Sequence, residues 1–126
     1  MDKPGLLKLL ILIGGYFEVF LGFLFLFMDV FLGTFGLSTD VPMFNQILGV
    51  MTICFGILLI YSAKDIGTYS IIPKVNCLMR FLVQPFAIYN MIVVPEMLLI
   101  LIGAAIYDVV WAIFVLILLK QVTKNQ

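Results

Sequence analysis

The chain has 126 residues, 64% of them hydrophobic, with seven basic and seven acidic side chains and no histidine; its mean hydropathy is +1.25. A soluble domain of this length carries far more charge, and at roughly 20 apolar residues per bilayer crossing the chain holds about four spans and no separate soluble domain. The missing histidines remove imidazole-bound haem, histidine-ligated metal and the commonest general base, and the balanced charge offers nucleic acid no basic patch.

The first apolar block runs from Gly5 to Phe35, and Gly33, Gly36, Ser38, Asp40 and Pro42 punctuate the turn after it. It is too long for the apolar core of a signal peptide and no small-residue cleavage site follows it, so it is expected to stay as a span. A continuous helix of that length exceeds a hydrocarbon core of about 30 Å and should tilt or protrude. The second block, Phe44 to Ala63, contains no charge and stops at Lys64-Asp65-Ile66-Gly67. The third begins near Pro73 and runs to Val93; the fourth begins at Pro95, where the missing amide proton costs a helix start nothing, and ends at Lys120. Expected spans are therefore 6–33, 44–63, 73–93 and 95–119 of a single transmembrane domain. Cys54 and Cys77 form neither a CxxC pair nor a zinc pattern and read as small core residues.

Basic residues sort these spans. Lys3 and Lys8 precede the first, Lys64 and Lys74 separate the second from the third, and Lys120 and Lys124 follow the fourth. The other two loops hold no base, only Asp29, Asp40 and Glu96. Under the positive-inside rule every loop agrees, and both termini are expected in the cytoplasm. The expected fold is an all-α membrane protein, an antiparallel four-transmembrane-helix bundle, because backbone groups in lipid must bond internally. The expected location is the plasma or inner membrane.

Three charges remain within spans: Glu18, Arg80 and Asp108. At a helix centre each costs about 2.5–3.5 kcal/mol on insertion scales, so each is expected to face the bundle interior or water. At 1.5 Å per residue, Glu18 lies about 15 Å beyond Lys8 and Asp108 about 18 Å from both Glu96 and Lys120, with Arg80 about 9 Å beyond Lys74. The two acids thus share a level, with a base just to the cytoplasmic side. One arginine neutralises one carboxylate, leaving an excess negative charge that a low dielectric favours cancelling by a retained proton, with the two acids titrating as a unit.

Neighbouring residues share these faces. Gly15, Glu18, Gly22, Phe25 and Asp29 recur at helical spacing on the first span, and Asn76, Arg80 and Gln84 form a polar stripe on the third, where Pro85 frees the Phe81 carbonyl. Ala104, Asp108 and Trp111 align on the fourth with Tyr107 beside them, and Asn45, Gly49, Thr52 and Gly56 align on the second. The candidate ligand- or proton-binding residues are Glu18, Arg80, Asp108, Tyr107, Trp111, Gln84 and Asn76; no catalytic residue, metal site or cofactor motif stands out. The plainer readings are close packing for glycines seven apart, interhelical glue for Asn, Gln and Thr, and a structural ion pair for Arg80.

Leu48-Gly49-Val50, Gly56-Ile57-Leu58-Leu59, Ala63-Lys64-Asp65, Arg80, and Tyr107-Asp108-Val109-Val110-Trp111-Ala112 ahead of Leu118-Leu119-Lys120 give the chain a layout that resembles the small four-helix membrane proteins called DoxX-like. That resemblance implies a four-span fold and, as in some of those proteins, an accessory place in a respiratory or redox complex. Buried carboxylates in four helices, with Leu26-Phe27-Met28-Asp29, are also similar to sterol-isomerase-like proteins of the EXPERA type. Three expectations follow. The first is a non-catalytic protein that binds or transports a small amphipathic or cationic molecule, or relays protons, as a monomer or homo-oligomer in the lipid bilayer. The second is an accessory subunit of a larger membrane complex. The third, ranked last for want of a nucleophile, is a membrane enzyme acting on a lipid, sterol or quinone with Glu18 and Asp108 as acid and base.

Overall fold

The computed structural model describes residues 2–38, 40 and 42–123, and all its regular elements are helical. Lys124 lies outside the described residues. Four helices are long and apolar enough to cross a membrane. They are α1 (Lys3–Leu26), α3 (Pro42–Ser62), α4 (Ile71–Val93) and α5 (Leu98–Thr123), the last preceded by a 3-10 turn at Pro95–Met97.

Local sequence explains where each element begins and ends. Asp2 caps α1, its Oδ1 accepting the Gly5 N–H at 3.1 Å, and a proline stands within the first turn. The first apolar block is not one helix: it breaks at Phe27 and resumes as the short α2 (Met28–Gly33). No proline or glycine forces the break. It falls where α1 has already risen about 36 Å, more than the hydrocarbon thickness, so continuing the helix gains no further lipid contact. Asp29 then sits in the first turn of α2, where the helix dipole favours a carboxylate. At the end of α2 the Leu37 N–H bonds the Leu32 carbonyl at 3.1 Å and the Gly36 N–H bonds that of Gly33, with Gly36 at φ +71°; this left-handed closure needs a residue without Cβ. Between α3 and α4, Asp65 Oδ1 accepts the Thr68 N–H at 3.1 Å, and hydrogen bonding from Thr68 holds that exposed carboxyl below its ordinary range.

α1 and α3 pack closest, through glycines. A Cβ at Gly49 would stand 2.7 Å from the Gly22 carbonyl oxygen, and one at Gly56 equally near that of Gly15. Gly15 opposes Gly56 and Gly22 opposes Gly49, so the two helices run in opposite directions with their backbones in contact. The face carrying Asn45, Gly49, Thr52 and Gly56 is therefore a packing seam. Thr52 spends its hydroxyl on its own helix at the Leu48 carbonyl.

Burial is uneven along the bundle. The core of Leu7, Ile11, Leu59, Ala63, Cys77, Trp111, Ala112, Val115, Leu118 and Leu119 lies entirely at the end that carries Lys8, Lys64, Lys74 and Lys120. Cys77 belongs to this core, whereas Cys54 is exposed, contrary to the sequence expectation, because its position on α3 faces away from the α1 seam. Toward the opposite end, α5 has no buried residue before Trp111 and α4 none after Arg80. There α4 and α5 stand off from α1, and a cavity opens between them. The outward surface of the spans is predominantly apolar, with Ile92 and Leu99 76% and 83% exposed; only lipid or partner helices make such a surface tolerable.

Candidate functional site: a buried charge network under an apolar cavity

Three helices bring the embedded charges to one point. The first helical turn of the polar stripe on α4 sets the arginine: Arg80 Nε donates to Asn76 Oδ1 at 2.9 Å, four residues back on the same face. One guanidinium nitrogen donates to Glu18 Oε1 of α1 at 2.8 Å and the other donates to Asp108 Oδ1 of α5. Asn76 Nδ2 also donates to Glu18 Oε1, at 2.6 Å. A single arginine thus bridges both acids, where charge counting alone assigns it to one. Its planar fork spreads donors over three nitrogens, so Asn76, Glu18 and Asp108 are each met by a different one, whereas a lysine carries all its donors on a single nitrogen.

The guanidinium lies over the Trp111 ring at 4.3 Å and the Tyr107 ring at 5.5 Å, from α5. Away from water, such cation–π contacts contribute on the order of 2 kcal/mol. Trp111 is itself fixed by a hydrogen bond from its Nε1 to the Leu10 carbonyl of α1 at 2.9 Å. Gly14 makes that approach feasible, since a Cβ there would overlap the indole ring. Tyr107 is steadied from α1 by Phe17, ring to ring at 4.5 Å.

Glu18, Asn76 and Arg80 are almost wholly buried, while the Asp108 side chain keeps 23% of its exposure. The difference comes from the cavity. About 330 Å³ in volume, it is bounded by Leu24, Phe25 and Met28 on one side, by Val83, Gln84 and Ala87 on α4, and by Leu101, Ala104, Ala105 and Asp108 on α5. Its volume suits a small ligand, and its wall is apolar with a few convergent polar groups, as binding pockets generally are. Gln84 turns its amide back to the Arg80 carbonyl at 2.8 Å, which leaves Asp108 as the charged group in the wall. Among the described residues no hydrogen bond reaches Asp108 Oδ2.

All seven candidate residues fall in this one region: Glu18, Asn76, Arg80 and Asp108 as the bonded network, Tyr107 and Trp111 as its aromatic cover, and Gln84 in the cavity wall. No polar side chain of α3 joins it. Gly14 and Phe17 were not foreseen as part of the site. The doubled Gly14-Gly15 was the available signal, since a seam with Gly22 uses only one of the two. Among the described residues no group of three or more Cys, Asp or Glu is placed to hold a metal ion. Comparison with protein-family models, curated proteins and solved structures finds no match. The resemblance to DoxX-like proteins thus rests on the short segments quoted above.

Proposed function

We propose that the chain is an antiparallel four-helix membrane protein, both termini cytoplasmic, that binds a small amphipathic molecule with a cationic or hydrogen-bond-donating head. The apolar body occupies the cavity between α1, α4 and α5, and the head meets Asp108 Oδ2. The observation carrying this reading is the double role of Asp108: one oxygen is held by Arg80, and the residue also lines an otherwise apolar cavity. The Arg80 bond orients the carboxylate, so a ligand finds a preorganised acceptor. Glu18 does not line the cavity. An acid–base pair acting on one substrate atom requires both carboxyls within reach of it, so binding fits the geometry better than catalysis.

Octyltrimethylammonium serves as a probe, with protein in phosphatidylcholine nanodiscs and protein-free nanodiscs as the control for partitioning. Wild type is expected to bind it saturably. Asp108→Asn, which keeps an acceptor oxygen for Arg80, should weaken binding tenfold or more, and Ala105→Phe should abolish binding by filling the cavity while helicity persists. Unchanged affinity in both variants overturns the proposal. Absence of probe binding together with co-purification of unlike chains in mild detergent would assign the protein to a larger complex instead.

A further inference from the structure

The network contains two carboxyls and one guanidinium, with Glu18 and Arg80 almost wholly buried. Asn76, Cys77 and Arg80 of α4, and Tyr107 and Asp108 of α5, face Glu18. α3 carries no Asp, Glu, Lys or Arg at all. Among the described residues, Lys8, Lys64, Lys74 and Lys120 lie at the end of the bundle beside the core, away from the cavity. With both acids ionised the group holds one uncompensated negative charge, and burying such a charge is costly. One added positive charge removes that cost. A proton can supply it, and so can a ligand cation.

The geometry assigns the proton to Glu18. Its side chain is 4% exposed against 23% for Asp108. Oε1 accepts both the Asn76 and Arg80 hydrogen bonds, while Oε2 is buried with no partner. That division suits a neutral carboxyl, whose carbonyl oxygen accepts two bonds and whose hydroxyl lies on the other oxygen. An ionised carboxylate would leave a bare, charged oxygen desolvated. Asp108 has the opposite setting, one oxygen paired and the side chain open to the cavity.

Building on the cavity-binding reading above, we propose that the site exchanges one proton for one lipophilic cation: Glu18 holds a proton in the absence of the cation and releases it when the cation settles against Asp108. The O–H bond at Glu18 Oε2 breaks, the proton passes to bulk solvent, and the carboxylate so formed stays bound to Arg80 and Asn76. Total charge in the site is the same before and after.

Titration calorimetry of the nanodisc-embedded protein with octyltrimethylammonium, in phosphate and in Tris at one pH, counts protons released per cation bound. Wild type is expected to release close to one where Glu18 is protonated, with affinity falling about tenfold per unit drop in pH over that range. Glu18→Gln should bind the cation weakly, release no proton and lose the pH dependence. Octanol, a neutral counterpart, should bind both proteins independently of pH. Cation binding to wild type with no proton release overturns the exchange and leaves the binding reading standing, and this measurement needs no variant to fold. The same proton release from Glu18→Gln overturns the assignment to Glu18. Absence of saturable binding of either probe overturns the binding reading and the exchange together.

Discussion

Arg80 touches five of the other six candidate residues by a bond or a ring contact, and reaches the sixth, Gln84, through its own carbonyl. Its worth lies less in net stabilisation than in what its removal would expose, because a buried ion pair roughly offsets its own desolvation whereas an unpaired buried charge does not. Arg80→Met should therefore destabilise the protein by about 3–5 kcal/mol, read as a lowered thermal midpoint in mild detergent. Part of the loss should return on acidification, since protonating Asp108 removes the charge left without its partner. A midpoint unchanged at neutral pH would mean that Arg80 does not neutralise the acids. Asn76 and Gln84 were legible beside it from their four-residue spacing alone. The bridging of both acids was not, because a spacing rule reports which residues share a face and says nothing about what stands opposite.

At the scale of elements, α1 serves three neighbours from adjacent faces. Gly15 and Gly22 bring it against α3, and Gly14 and Glu18 turn it toward α5 and α4. The α1–α3 contact is backbone against backbone, so a side chain there has no room to rotate away. Gly22→Val should force the two helices apart and lower the thermal midpoint by an amount equivalent to roughly 1–3 kcal/mol or more, as for other overpacked interiors. Gly103→Ala is the matching control: nothing stands within 4 Å of the added Cβ, and it should be neutral or stabilising by up to about 1 kcal/mol. Equal losses in the two variants would show that the seam is not packed as described. The seven-residue recurrence of glycine pointed to such a seam. The break at Phe27 carried no comparable signal, since no helix-breaking residue marks it.

Over the whole molecule, charge and packing are graded along the same axis. The lysine-bearing end holds the core, and the end with Asp29, Asp40 and Glu96 holds the cavity. If the basic end faces the cytoplasm, as the positive-inside rule requires, the cavity lies in the outer half of the membrane. Single cysteines at Ser38 and at Ser70, in a background with Cys54 and Cys77 replaced, test this in intact cells. A membrane-impermeant maleimide should label the cysteine at position 38 directly and the one at position 70 only after permeabilisation. The reverse pattern would place the cavity in the inner leaflet.

Hydropathy alone determined that this chain has four helices able to cross a membrane, because in lipid each span must satisfy its own backbone and can be judged one at a time. Lysine spacing likewise sets the expectation of which helix ends share a side, and charge counting isolated Glu18, Arg80 and Asp108. Only the tertiary structure decided that one guanidinium joins both acids, that α3 offers glycines instead of polar groups, and that Asp108 lines the cavity where Glu18 does not. These outcomes depend on the order and rotation of helices around the bundle. That arrangement is set by contacts such as Gly14 with Trp111, between residues nearly a hundred positions apart, which no periodicity within a single helix encodes.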